Sequence, residues 1–415
     1  MYRLREYHSK GFDLAINDRD EREETCYSVL IGANGSGKSR LLGELARSFV
    51  GEVPDYHLDS DGQPARVLAV SNMVMDTYPY VSRENDRYRY LGLRQSSNSM
   101  TTGAIAASLG RFFAESLLIP NQGSNLDELA SQLNLPRMHI GLGRVASAIN
   151  KRSPLDTLPL LERDIYGSSF SRAQSLEAVD RELSQLAMRV RSRRAVSMPR
   201  EEVVSLIRDL AGASEVDAST LLDLMRRVYG LRFQLLFGDD EDMSFEPSAG
   251  QSLLLSMFLR IASAVRPGSL ILIDEPEIGL HPEWQSSFID LLKKHLSNAE
   301  GSHFLIATHS PYVALAARTI SVPDPQAPAG VHGFTGIGVN HQGMSVEMLI
   351  YQVFGAQVIG NASVNSDLTT VIDWISSNAA RPGISVVAAA QRLSAIAGPH
   401  TPTLNAVLRE FREQS

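Results

Sequence analysis

The segment GANGSGKS at residues 32–39 constrains the fold of this 415-residue chain more than any other feature. It follows the apolar run CYSVLI at residues 26–31, and after it apolar residues recur on one helical face between Leu41 and Phe49. A buried strand, a glycine-rich turn and an amphipathic helix in this order are typical of an α/β fold with a parallel sheet. We therefore predict an α/β domain with the loop at a strand–helix junction.

The same segment matches the pattern G-x-x-x-x-G-K-[ST], whose glycines let backbone N–H groups surround phosphate oxygens. The helix that follows presents the positive end of its dipole to the same phosphates. We expect Lys38 to contact the β- and γ-phosphates and the Ser39 hydroxyl to bind Mg²⁺. The predicted nucleotide contacts of this segment are Gly32, Asn34, Gly35, Ser36, Gly37, Lys38, Ser39 and Arg40.

A second apolar run, LILI at residues 270–273, ends in the acidic sequence DEPE. In open α/β sheets, ligands collect at the carboxyl ends of the strands. Asp274 is therefore predicted to hold Mg²⁺, and Glu275 is predicted to activate the attacking water as a general base. For Glu277, a role at the site and a structural role in the turn are equally supported.

Two further segments point to phosphate. His309 follows a third apolar strand, in the sequence ATHSP at residues 307–311, and is predicted to hydrogen-bond the γ-phosphate. A lone histidine is usually structural, but its place at another strand end favours the site. Ser248, Gly250 and Gln251 precede a long apolar helix whose N-terminus suits an anion, although taken alone they are better explained as a plain helix start.

Taken in order, these segments resemble the motifs of the ABC ATPase superfamily. The loop is similar to its Walker A motif, SAGQ to a shortened signature motif, LILIDEPE to its Walker B motif and IGLHP at residues 278–282 to its D-loop. The resemblance implies hydrolysis of Mg-ATP between two paired heads, so that Ser248 and Gly250 contact nucleotide held by the other head. It implies a catalytic set of Lys38, Glu275 and His309, the last as the switch histidine.

The chain departs from the superfamily pattern at two motifs. The signature lacks its leading leucine, and Ala249 stands where the first glycine is usual. The glutamine of the Q-loop is not evident, because Asn72 stands where it would fall and Gln95 is a distant second choice.

The sequences DEPEIGLHP, ATHSP and GMSVEMLIYQVFG are closer to the soluble branch of the superfamily, which includes chromosome-maintenance and break-repair ATPases and compact ATPases of bacterial defence modules. This resemblance implies a homodimer, with a higher oligomer left open, and a separate effector protein such as a nuclease or toxin. Two alternatives stay open. One is the nucleotide-binding subunit of a membrane transporter, and the other is a DNA-stimulated ATPase without an effector.

Composition narrows the class of protein. The net charge of −8 argues against a uniformly basic surface for nucleic acid, although arginines and tyrosines interleave between residues 78 and 94. A solvated hairpin is the favoured interpretation of that segment, and nucleic-acid binding is the alternative. The single cysteine, Cys26, and the lack of a long apolar window or a signal sequence predict a cytoplasmic protein without a membrane span.

The motifs also suggest how the chain is divided. We predict a discontinuous ATPase head from residues 1–95 and 240–345, a helical insertion at 96–239 and a small helical C-terminal segment at 346–415. No second catalytic constellation is evident, and Asp367 and Asp373 are predicted to lie on a helix surface.

Overall fold

The computed structural model describes residues 1–16, 25–73, 75–80, 87–93, 104–144, 173–190, 195–214, 217–239, 245–317, 319–336, 346, 349–350, 362–377, 381–397 and 402–414. The strands in chain order are β1 (Leu4–Ser9), β2 (Phe12–Ala15), β3 (Cys26–Ile31), β4 (Tyr56–Ser60), β5 (Val67–Ser71), β6 (Tyr88–Leu91), β7 (Met138–Arg144), β8 (Val196–Met198), β9 (Leu231–Phe237), β10 (Leu270–Asp274), β11 (His303–Thr308), β12 (Thr319–Pro323) and β13 (His332–Gly336). The helices are α1 (Lys38–Phe49), α2 (Ala104–Ser116), α3 (Gln122–Gln132), α4 (Ala173–Arg189), α5 (Arg200–Ser214), α6 (Ala218–Arg227), α7 (Ala249–Ala262), α8 (Pro282–His295), α9 (Pro311–Leu315), α10 (Ala362–Ser376), α11 (Ile384–Ile396) and α12 (Pro402–Gln414).

A sheet of ten strands forms the centre of the fold, in the order β4-β1-β2-β13-β12-β3-β11-β10-β5-β6. The strands from β12 to β6 in this order pair in parallel. Their side chains alternate between two apolar cores, with Val29 on one face of β3 and Leu30 on the other. Burial on both faces explains why these strands read as continuous apolar runs. The predicted α/β fold, with its loop between β3 and α1, is confirmed.

The register of the parallel strands brings the predicted site to one edge. Asp274, the last residue of β10, pairs with Ser71 at the end of β5 and with Ala307 in β11. Strand β11 in turn pairs with β3, so that Thr308 faces Ile31, the residue before the glycine-rich loop. The loop, the acidic strand end and the His309 segment therefore meet at the same side of the sheet.

The region between β6 and α7 is not purely helical. It contains α2 to α6, but also the antiparallel sheet β8-β7-β9, which the sequence pattern did not reveal. Helix α2 packs against both β9 and α7. A Cβ atom at Gly110 of α2 would lie 2.3 Å from the carbonyl oxygen of Phe233, so a glycine is needed where helix and strand backbones touch.

The three C-terminal helices α10, α11 and α12 enclose a small core of their own, around Val371, Leu393 and Leu408. The predicted exposure of Asp367 is wrong. This carboxylate is buried and accepts two bonds, at 2.7 and 2.8 Å, from the guanidinium of Arg392 on α11. Asp373 is exposed as predicted. Every helix in the described ranges is too short or too polar for a bilayer crossing.

Candidate nucleotide site

The glycine-rich loop has the backbone that its sequence predicts. Gly35 and Gly37 have φ angles of +82° and +98°, in the left-handed region that residues with a Cβ atom rarely adopt. At Gly37 a Cβ atom would also lie 2.8 Å from the ring of His332. A larger residue at either position would therefore deform the loop.

Lys38 lies at the centre of this loop and is buried. Its Nζ donates to the carbonyl oxygen of Gly32 at 2.9 Å and lies 2.9 Å from Nε2 of His309. Burial lowers the pKa of Lys38, whereas the carboxyl groups of Glu275 and Asp274 act in the opposite direction. The structure thus brings together a lysine and a histidine that are 271 residues apart in the sequence.

Ser39 and Asp274 form the part of the site suited to a cation. The Ser39 hydroxyl donates to Oδ1 of Asp274 at 2.8 Å. The other carboxylate oxygen, Oδ2, is buried and has no hydrogen-bond partner within the described part of the chain. Burial raises the pKa of Asp274 to about 6, although the bond from Ser39 opposes the shift. A hydroxyl and a carboxylate with a spare buried oxygen fit Mg²⁺, which prefers hard oxygen ligands.

Glu275 has an unusual backbone for its residue type. Its φ of +50° lies in the left-handed region, and such strain in a non-glycine residue is typical of functional sites. One carboxyl oxygen lies 3.0 Å from Nε2 of His309. Burial raises the pKa of Glu275, with Glu277 adding to the shift, and burial lowers the pKa of His309. The Glu275 carboxyl and the His309 ring are within hydrogen-bond distance of each other beside the loop.

The role of Glu277 is structural, one of the two roles that the sequence left open. Its Oε1 accepts the backbone N–H groups of His309, at 2.6 Å, and of Ser310, at 3.1 Å. The turn after β10 thereby holds the backbone that follows β11. The sequence does not show this contact, because residues 277 and 309 are 32 positions apart and come together only where β10 and β11 end.

The SAGQ segment caps α7 within its own chain. Ser248 accepts the N–H of Gln251 at 3.3 Å, and the Gln251 side chain accepts the N–H of Ser248 at 2.8 Å, which completes a capping box. A Cβ atom at Gly250 would lie 2.7 Å from the carbonyl oxygen of Gly279, in the segment similar to the D-loop. Among the described residues, no hydrogen bond joins Ser248 or Gln251 to Lys38. The predicted action of this segment on the other head stays a prediction.

Arg40 belongs to a planar cluster that the sequence did not reveal. His332 on β13 pairs in register with Phe12 on β2, and their rings stack with centroids 5.4 Å apart. The Arg40 guanidinium lies 5.8 Å from the centre of the Phe12 ring and 3.3 Å from Nε2 of His332. Phe12 is buried, so Arg40 and His332 are the accessible members of this cluster beside Gly37.

Asn72 lies at the predicted Q-loop position, directly after β5, and Gln95 falls outside the described residues. The Asn72 side-chain oxygen accepts a bond from Arg260 of α7. The solvated hairpin predicted for the segment rich in arginine and tyrosine is wrong for its described part. Strand β6 pairs in parallel with β5, Tyr78 and Tyr88 are buried, and Arg89 pairs with Glu115. Buried rings cannot stack on bases, which counts against the nucleic-acid alternative for the described part of this segment.

Comparison with known proteins gives one family match and two curated relatives. A family model described as "AAA domain, putative AbiEii toxin, Type IV TA system" matches residues 148–316. Protein ea59 of Escherichia phage lambda is 37% identical over 83 residues, which cover 20% of this chain and 16% of that protein. The Septu protein PtuA of Bacillus thuringiensis is 34% identical over 90 residues, covering 21% of this chain and 22% of that protein. The matches thus span less than a quarter of either relative.

Solved structures with a similar course include a nucleotide-free ATP-binding cassette from an ABC transporter, at a TM-score of 0.28 and 14% identity, covering 78% of this chain and 87% of that one. Another is the Smc head domain of Pyrococcus furiosus, at a TM-score of 0.33 and 11% identity, covering 81% and 96%. The fold assignment rests instead on the strand order and on the loop between β3 and α1. The motif order and this fold resemble those of ABC-type ATPases, and the family model covers residues 148–316 of the 415.

Proposed function

We propose that this chain binds Mg-ATP and hydrolyses it by in-line attack of water on the γ-phosphate. The observation that carries the proposal is a set of sequence-distant contacts at one edge of the sheet. Lys38 and Glu275 both lie within hydrogen-bond distance of His309, and Ser39 donates to Asp274. Phosphoryl transfer needs mainly positioning and charge stabilisation, and these side chains supply both.

The residues divide the chemical tasks. Lys38 would exchange its bond to Gly32 for phosphate oxygens, and loop N–H groups would hold the same oxygens. Ser39 and Asp274 would hold Mg²⁺, which neutralises charge on the phosphates when bound. Glu275 would accept the proton of the attacking water, and His309, held by Glu277, would bond the γ-phosphate. The nucleobase would stack against the planar side chains of Arg40 and His332.

Two substitutions test this assignment. Lys38→Ala should abolish Mg-ATP binding measured by calorimetric titration, whereas Lys10→Ala, at an exposed lysine, should leave it unchanged. Glu275→Gln should retain binding and stall turnover, whereas Glu283→Gln, at an exposed glutamate of α8, should turn over normally. Full turnover by Glu275→Gln would show that another group is the base.

We further propose that two heads pair when ATP binds. The superfamily resemblance implies that the signature segment of one head contacts the nucleotide held by a second copy. Exposed apolar side chains border the site motifs at Phe245, Ile278 and Tyr312, where a soluble surface would favour polar residues. Their burial between two heads would favour the dimer. An insertion at 96–239, which holds helices and the sheet β8-β7-β9, and a helical C-terminal segment at 346–415 complete the proposed division of the chain.

The biological output that we propose is the gating of a partner effector in anti-phage defence or genome maintenance, within the cytoplasm. The family description names a toxin of a type IV TA system, and one relative is a phage protein. A phage challenge of cells that carry this gene with its genomic neighbours tests the defence role. Protection should be lost with Lys38→Ala and kept with Lys10→Ala; equal protection by both variants would argue against it.

A further inference from the structure

A cavity of about 80 Å³ lies between α2, α6 and β9, in the region between β6 and α7. This volume accommodates several water-sized groups. Its lining includes the buried side chains of Leu222, Met225 and Phe233 and the half-buried ring of Phe112. None of the residues that line it belongs to the nucleotide site described above. A largely apolar cavity with a few polar groups is the usual form of a small-molecule site.

Three arginines also line this cavity. Arg111 of α2 donates to Glu115 and to Asp223, at 2.9 Å in each case. Arg226 of α6 and Arg232 of β9 have neither a hydrogen bond nor an ion pair within the described ranges. Two cations beside an apolar cavity therefore lack a counter-ion in that part of the chain.

Arg232 gives a second sign that a ligand belongs here. Its side chain is half-buried, and its Nε atom is shielded from solvent without a hydrogen-bond partner among the described residues. A buried donor that stays unsatisfied costs free energy, and the cost is larger for a charged group. Because Arg232 lines the cavity, an oxygen of a ligand in it would supply the missing acceptor. The planar fork of a guanidinium matches carboxylate and phosphate oxygens.

The carboxylates beside the cavity are already shared among other arginines. Glu115 accepts from Arg89 as well as from Arg111, and Asp223 accepts from Arg227 as well as from Arg111. These two carboxylates neutralise at most two of those three arginines, so they leave no negative charge for the other two arginines of the lining. The local charge therefore favours an anion, although the chain as a whole is acidic.

We propose that this cavity binds a small organic anion. Its phosphate or carboxylate group lies between Arg226 and Arg232, and its apolar or aromatic part packs against Phe112 and Phe233. An anion without an apolar part would leave the apolar lining in contact with water, and an uncharged apolar molecule would leave the two arginines without an acceptor. The site is separate from the nucleotide site, and the proposal does not depend on ATP hydrolysis.

Calorimetric titration of phenyl phosphate and of benzoate into the full chain tests the site. At least one of the two should bind with a Kd of about 1 mM or lower, and the tighter one identifies the preferred anionic group. Inorganic phosphate, which has no apolar part, and benzyl alcohol, which has no charge, should each bind at least about ten-fold more weakly. Lys38→Ala should bind the aromatic anions as the wild type does. Loss of binding in Lys38→Ala would place the anion on the glycine-rich loop and overturn the proposal.

Substitutions of the two arginines locate the anion. Arg226→Met and Arg232→Met should each weaken binding of the tighter probe by about ten-fold. Arg227→Met is the matched control, because Arg227 adjoins Arg226 on α6 but pairs with Asp223 and does not line the cavity, so its Kd should stay within about two-fold. Arg226 is exposed, so its variant should fold even if Arg232→Met does not. Unchanged affinity in Arg226→Met, or no saturable binding of either probe up to about 10 mM, would overturn the proposal.

Discussion

Glu277 differs from its neighbours Asp274 and Glu275 in what its carboxylate does. The other two carboxyl groups face Ser39 and His309, whereas Glu277 accepts backbone N–H groups at the start of the segment after β11. Under the proposed function, these three acidic residues within four positions would serve as a cation ligand, a base and a structural support. This division follows from the direction of each side chain, which the spacing alone does not give.

Removing that support should slow catalysis without weakening binding. Glu277→Ala removes the acceptor of the His309 N–H, while the N–H of Ser310 keeps its bond to the Thr308 hydroxyl. His309 should therefore lose its position, and kcat should fall by about ten-fold. Glu277→Gln keeps a side-chain oxygen and should retain kcat within about three-fold. Steady-state kinetics would check both. Equal losses in the two variants would show that the charge matters rather than the backbone contact.

The planar cluster gives a test of nucleobase contact. His332→Ala should weaken ATP binding by roughly five-fold, because stacking on a base contributes about 1 kcal/mol or more. The affinity for inorganic triphosphate should be unchanged, since that ligand has no base. His57→Ala, at an exposed histidine of β4, should change neither affinity. A parallel loss for both ligands would mean that His332 acts on the loop through Gly37.

Helix α2 is joined to the central sheet by a buried ionic cluster. Arg89 of β6 and Arg111 of α2 both donate to the carboxylate of Glu115, at 3.0 and 2.9 Å. Burial alone would raise the pKa of Glu115, but the two arginines outweigh it and hold the pKa below its ordinary value. Stability from this cluster is therefore complete above the ordinary pKa of a glutamate and is lost as the pH falls through the lower folded value.

Loss of that carboxylate should destabilise the chain in a pH-dependent way. Glu115→Gln should lower the free energy of unfolding at pH 7 by about 3 kcal/mol, because it removes a buried carboxylate that accepts bonds from both arginines. The difference from wild type should shrink as the pH falls through the folded pKa of Glu115, which lies below the ordinary value, because the native carboxyl is then protonated too. Urea unfolding at pH 7 and in acid measures this. Glu128→Gln, at an exposed glutamate paired with Lys294, should have a much smaller effect.

Elements whose pattern is local could be predicted, and elements that depend on distant pairing could not. Strands β3, β10 and β11 are continuous apolar runs, and α1 is strongly amphipathic, so short windows are sufficient to identify them. The sheet of β7, β8 and β9 joins short strands with helices between them, and apolar positions in β9 do not alternate cleanly. The contact of Phe12 with His332 likewise follows from strand register.

Pairing of two whole molecules should depend on the apolar residues that border the site. Ile278→Asp should prevent the ATP-dependent dimer that Glu275→Gln is expected to accumulate, while leaving Mg-ATP binding intact. Ile384→Asp, the same substitution at the more exposed isoleucine of α11, should leave the dimer unaffected. Light scattering with and without Mg-ATP, which measures the molar mass, would distinguish the Ile278→Asp and Ile384→Asp variants. A dimer that survives Ile278→Asp would place the interface elsewhere.

Gly110 affects how a displacement of the small antiparallel sheet would be transmitted through α2 to α7. With no side chain between them, the backbones of α2 and β9 touch, and α2 also packs against α7. A partner protein that bound the antiparallel sheet of β7, β8 and β9 and displaced it would therefore displace α7 as well. The methyl group added by Gly110→Ala would push the backbones of α2 and β9 apart. A partner could then still bind, but its binding would have a smaller effect on α7.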